Sequence, residues 1–193
     1  MNNLKDRSGE HHPIFRCKPY KTLLSYKRAD VVYRATVKFT ERFLCKGDRT
    51  IDQMIQAARS CKQNIVEGAM ASAGSKQTEL FLTSVALASL TELLEDYEDF
   101  LKTHDAVILT KNSREAVFVR NLCRHPEADD YELYREFIET RPSEIVANII
   151  LTVIHQTSYL LNRQIESLEK KFLKEGGIKE KMTTMRLAAR NQK

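Results

Sequence analysis

The sequence predicts an all-helical protein: an antiparallel, up-down four-helix bundle with a short helical insertion before its fourth helix and a basic helical extension at its C-terminal end. Three observations carry this expectation. Apolar residues recur at three- and four-residue steps through four long segments, the spacing that lines one face of a helix. Gly and Pro are scarce, at six and four in 193 residues, which favours uninterrupted helices over turn-rich strands. Hydrophobic residues make up 42% and charged residues 30%, a balance that fills one core and excludes a disordered chain.

Residues 1–20 show no sustained period and read as a flexible lead-in; the adjacent His11 and His12 have no third ligand nearby and read as solvated. The bundle is expected over 21–175. Its first helix, about Thr22 to Cys45, carries Tyr26, Ala29, Val32, Tyr33, Val37, Phe43 and Leu44 on one face. Lys27, Arg34, Lys38 and Arg42 fall elsewhere, so its basic charge should point outward. Gly47-Asp48 breaks the pattern, and Asp48 or Thr50 can cap the next helix.

The second helix, about Ile51 to Glu67, has Met54, Ala58, Cys61 and Ile65 inward and is expected to stop at Gly68. Opposite lies an unusual, mostly uncharged polar stripe of Gln53, Gln56, Ser60, Gln63, Asn64 and Glu67, a candidate interface. The third helix, about Lys76 to Thr103, has the widest apolar stripe: Leu82, Ala86, Leu90, Leu93, Leu94, Tyr97, Phe100 and Leu101. Glu92, Glu95, Asp96 and Asp99 occupy its other side.

The pattern loosens over 105–141, where two short helices are expected, at Asn112–Arg124 and Asp130–Thr140, separated by Pro126. Arg141-Pro142-Ser143-Glu144 signals a helix start. The fourth bundle helix should then run to about Lys174, ended by Gly176-Gly177. In its first half Ile145, Ala147 and Leu151 are apolar outside the main stripe, which points to burial on several sides and so to subunit contact. The extension, 176–193, reads as an amphipathic basic helix with Lys179, Arg186 and Arg190 on one face.

Net charge is +5, unevenly distributed: +7 over 1–50, −6 over 51–165 and +4 over 166–193. Basic ends suit nucleic-acid contact, and they equally suit packing on an acidic neighbour. The four cysteines, Cys17, Cys45, Cys61 and Cys123, lack CxxC spacing and read as reduced thiols. No Glu-x-x-His pair accompanies the acids of the third helix, so no di-metal site is expected. No Gly-x-Ser-x-Gly element or phosphate loop appears, and His155 sits off the apolar stripe. Catalytic residues, cofactors and metals are therefore not expected. Residues 1–10 are polar, and no uninterrupted apolar run approaches the roughly 18 residues of a bilayer span. A cytoplasmic location without membrane contact follows as an expectation.

The run Gln53-Met-Ile-Gln-Ala-Ala-Arg-Ser60, then Asn64-Ile-Val-Glu-Gly68, a small-residue loop and Ser89-Leu-Thr-Glu-Leu-Leu94 resemble a four-helix bundle family. That family includes the protein encoded in intervening sequences of bacterial 23S ribosomal RNA genes and the accessory protein of diversity-generating retroelements. Ile154-His-Gln-Thr-Ser-Tyr-Leu-Leu161 is similar to its fourth helix. Phe172-Leu-Lys-Glu-Gly-Gly-Ile-Lys-Glu-Lys-Met182 resembles the C-terminal extension of a sub-branch, the four helix bundle suffix proteins. The resemblance covers roughly 20–104 and 142–190; the 105–141 segment is an addition. It implies a homo-oligomer, typically a pentameric ring, without known catalysis, and an accessory protein that works with a reverse transcriptase and nucleic acid. The expected function is a non-enzymatic oligomeric bundle binding RNA or DNA, or a nucleic-acid-processing partner. Lys179, Arg186 and Arg190 would make the contacts, supported by Arg34 and Lys38. The alternative is a protein-interaction scaffold using Gln53, Gln56, Gln63, Asn64 and Glu67, with no nucleic-acid contact.

Overall fold

A computed structural model describes residues 19–124 and 130–175, with residues 182, 183, 186, 187 and 190 of the extension. The described chain is all-helical, without a β-strand. A short 3-10 turn, Tyr20–Thr22, leads into α1 (Leu24–Phe43), α2 (Arg49–Ala71), α3 (Lys76–Thr103), α4 (Arg114–Leu122), α5 (Glu132–Thr140) and α6 (Ser143–Glu175). The four long helices touch in a closed order: α1 on α2, α2 on α3, α3 on α6, and α6 back on α1. Short α4 leans on α6, and short α5 on α1 and α6.

The chain breaks where local chemistry satisfies helix ends. Asp48, Ser75 and Ser113 cap α2, α3 and α4 by accepting from the amides of Thr50, Thr78 and Ala116. The Thr50 bonds hold the Asp48 carboxyl below its ordinary range. Gly47, at φ +94°, makes the turn before α2. At the end of α3, Asp105 takes φ +51°; its amide bonds the Lys102 carbonyl and that of Ala106 bonds Leu101. This paired arrangement closes a helix with a left-handed residue.

Gly68 departs from expectation. It does not stop α2, which continues to Ala71. A Cβ there would lie 3.3 Å from the Glu79 carbonyl and 3.4 Å from the Leu82 Cβ. The glycine therefore allows α2 and α3 to approach closely, a packing role rather than a chain break.

The core joins all four long helices through Val32, Phe39, Met54, Ile65, Leu90, Leu93, Leu101, Ile150, Ile154 and Leu161, all fully or almost fully buried. Tyr97 is completely buried, and its hydroxyl donates to Thr36 Oγ1 at 3.1 Å, satisfying a group that would otherwise be stranded. Burial pushes its phenol pKa up. Cys61 and Cys123 are buried while Cys45 is exposed. Desolvation pushes the Cys61 thiol up to about 12, which leaves it inert as a nucleophile.

The insertion explains the over-apolar start of α6. Ala147, Ile149 and Leu151 are buried within this chain, and α4 and α5 bring Phe118, Val119, Leu122 and Phe137 beside Ile149. Apolarity on several sides there is thus accounted for without a second subunit; Ile145 alone of that group remains about half exposed. An 18-residue window of α6 has a mean hydropathy of 1.2, enough by length and composition to cross a membrane, and half of it is buried by the chain's own helices. Buried Asn148 fastens the preceding segment to this helix. Its side-chain oxygen accepts from the Leu109 amide at 2.8 Å, and its Nδ2 donates to the Val107 carbonyl at 2.9 Å. These bonds satisfy a non-helical backbone that crosses the surface of α6.

Candidate functional site

Two basic surfaces emerge, and they differ in what faces them. On α1, the cations are engaged by the insertion. Arg28, only 8% exposed, donates to the Tyr134 hydroxyl at 2.8 Å and to the Cys123 carbonyl, while the Tyr134 hydroxyl lies 3.3 Å from Cys123 Sγ. Burial also raises the Tyr134 phenol pKa. Arg34 stacks on Tyr131 with its guanidinium carbon 4.4 Å from the ring centre, and pairs with Glu132 at 3.2 Å and Asp130 at 3.7 Å. Arg42 donates to the Ile138 and Arg141 carbonyls at the end of α5, where a cation offsets the negative end of the helix dipole. Arg28, which the sequence reading did not assign to either face, is the buried cation of α1, donating to polar groups of α5 and of the end of α4. Lys38 pairs with Glu41 at 3.2 Å. Arg34 and Lys38, chosen from sequence as supporting nucleic-acid contacts, both have acidic partners.

The second surface lies between α4 and α6. Lys111, Arg120 and Arg124 line a cleft of about 670 Å³ with Leu109, Ala116, Thr152, His155, Gln156 and Tyr159. Among the described residues no carboxylate lines it. Lys111 and Arg124 are exposed and Arg120 is half-buried, and none of the three forms an ion pair among the described residues. The Arg124 guanidinium lies 3.4 Å from Asn121 Oδ1. The Asn148 clasp on 107–109 and the Ser113 cap set where α4 starts, and so where Arg120 stands relative to α6.

The basic surface continues along α6. His155, Tyr159 and Arg163 follow at four-residue steps, then Lys170 and Lys174, which share a second recess of about 370 Å³ with Arg163, Glu166, Ser167 and Lys171. Positions 155 to 174 span roughly 28 Å of helix axis at 1.5 Å per residue.

The other sequence-chosen residues divide. Arg186 and Arg190 are exposed; Lys179 lies outside the described residues, as do Cys17, His11, His12 and Gly176-Gly177. On α2, Gln53, Gln56, Gln63 and Glu67 are exposed. Asn64 instead turns inward, donating to the Ser60 carbonyl at 2.9 Å and Ser60 Oγ at 3.1 Å, next to a 3.0 Å contact between Ser60 and Ser89 on α3. Asp96 on the acidic face of α3 has a raised carboxyl pKa, first from partial burial and then from Asp99, Glu92 and Glu95.

Sequence reasoning missed Lys111, Arg120, Arg124, Arg163 and Tyr159. The spacing 155/159/163 was a readable signal on α6, but the apposition of α4 depends on tertiary structure. Among the described residues no group of three or more His, Cys, Asp or Glu side chains could hold a metal ion. No family model, curated protein or solved structure matches this chain.

Proposed function

We propose that this chain is a non-enzymatic nucleic-acid-binding protein whose four long helices form an antiparallel up-down bundle, and that the α4–α6 cleft holds the phosphate backbone. The observation that carries this reading is a cleft lined by three cations that, among the described residues, have no acidic partner and no carboxylate beside them. Such groups attract polyanions strongly because binding releases counterions. The closed order of helix contacts supports the bundle arrangement. Arg186 and Arg190, both exposed, extend the basic surface of the protein, with Lys179 assigned to the same role from sequence. The suspected kinship with the intervening-sequence and retroelement accessory proteins is consistent with this function, as are a cytoplasmic location and a homo-oligomeric, pentameric state. The last of these rests on the resemblance alone, since α4 and α5 cover the apolar start of α6.

The test is binding of labelled RNA and DNA by wild type and by Arg120→Glu/Arg124→Glu. Wild-type affinity should fall steeply with salt, and the double variant should lose at least about ten-fold. Absent or salt-independent binding overturns the reading. The exposed glutamine face of α2 favours one alternative, a protein-interaction scaffold. It predicts a co-purifying protein partner without nucleic acid.

A further inference from the structure

Tyr159 is 62% exposed, midway along the basic face of α6 between His155 and Arg163. It lines the cleft together with Arg120 and Arg124, yet has no ring contact or hydrogen bond among the described residues. The other tyrosine rings near basic groups serve the fold: Tyr131 lies under Arg34 and Tyr33 under Lys62. Packing does not require Tyr159, because its ring faces solvent from a helix whose core side is complete without it.

A phosphate track alone would not require an aromatic ring in its middle. A duplex presents phosphates outward and keeps its bases stacked inside, so it could use the cations but not the ring. A single strand offers both charges and unstacked bases, and aromatic side chains beside a basic groove are the usual platform for them. We infer that the cleft binds single-stranded nucleic acid, with a base stacked on Tyr159 and flanking phosphates on Arg120, Arg124 and Arg163. The strand then runs along α6 toward Lys170 and Lys174. This inference rests on the phosphate-binding reading above and adds the strandedness of the ligand and the role of the ring.

The experiment compares a labelled single strand of about 20 nucleotides with a duplex of the same length, a size that covers a typical single-strand site. Wild type, Tyr159→Ala, Tyr159→Phe and Arg120→Glu/Arg124→Glu are titrated in parallel. The single strand should bind at least about ten-fold more tightly than the duplex, and Tyr159→Ala should weaken single-strand binding about five-fold or more. Tyr159→Phe should retain it, since the ring and not the hydroxyl carries the contact. Unchanged melting temperatures in all variants separate these effects from misfolding. Equal affinity for both ligands, or a silent Tyr159→Ala beside a damaging Arg120→Glu/Arg124→Glu, overturns this inference and leaves the phosphate-binding reading standing. Silence of every variant overturns both.

Discussion

The basic face of α1 and the basic cleft of α4 and α6 are alike in composition and differ in what faces their cations. Arg28, Arg34 and Arg42 reach across to α5 and the end of α4, meeting a phenol, an aromatic ring, two carboxylates and backbone carbonyls. Lys111, Arg120 and Arg124 line a cleft that holds no carboxylate among the described residues. What lies opposite a cation decides whether the fold engages it, which residue counts do not reveal. The same contrast applies to charge along the chain: residues 51–165 are net acidic, yet they contain the cleft.

The largest effect should come from Arg28. Its removal as Arg28→Met leaves the Cys123 carbonyl and the Tyr134 hydroxyl without their donor in a buried site, at a cost of about 2–3 kcal/mol in stability. Urea denaturation measures this as a lowered midpoint with an unchanged slope. A loss under about 0.5 kcal/mol would remove the buried anchor from the explanation of how α5 is held.

Next comes Gly68→Val, which forces a branched side chain against the Glu79 carbonyl and should cost about 2 kcal/mol by overpacking the α2–α3 contact. A neutral or stabilising result would remove the close α2–α3 approach as the reason for a glycine at this position.

Arg34→Glu sharpens the comparison directly. It should lower stability by about 1 kcal/mol or less, given the exposure of its ion pairs, and leave nucleic-acid affinity within about two-fold. The smallest effect belongs to Asp96. Its folded carboxyl pKa is raised above the unfolded value of 3.8, chiefly by desolvation. The charged form is thus disfavoured by folding, a penalty present at neutral pH and relieved as pH falls through the raised folded value. Asp96→Asn should raise the melting temperature slightly at pH 7, with the gain fading as pH falls through the raised folded value and gone below the unfolded value of 3.8. A gain that persists at pH 3 would show that charge is not the cause.

The long helices were legible because their signals are local. The three- and four-residue apolar steps and the Asp48 cap lie within single segments, so α3 begins and ends where the sequence places it, and α2 begins within two residues. Gly68 misled because a glycine that ends a helix and a glycine that admits a neighbour look the same in one dimension. The apolar start of the fourth long helix was read as a sign of burial on several sides, and Ala147 and Leu151 are buried within this chain. The cleft was half legible. His155 was read as lying off the core stripe, and it is exposed in the structure, but Arg120 on α4 and Arg124 just beyond it come beside α6 only through tertiary packing, with the Asn148 clasp holding the segment that leads into α4. Nothing in the spacing of Asn148 announces that its amide will hold residues 107–109.

The contrast between the two basic surfaces is tested most directly by the salt dependence of RNA affinity for wild type, Arg34→Glu and Arg120→Glu/Arg124→Glu. On a single strand each phosphate contact contributes about −0.7 to the slope of log K against log salt. The predicted result is a wild-type slope kept by Arg34→Glu and reduced by about 1.4 in the double variant, together with weaker binding. The contradicting result is a slope that falls with Arg34→Glu and holds with Arg120→Glu/Arg124→Glu, which would move the binding surface back to α1.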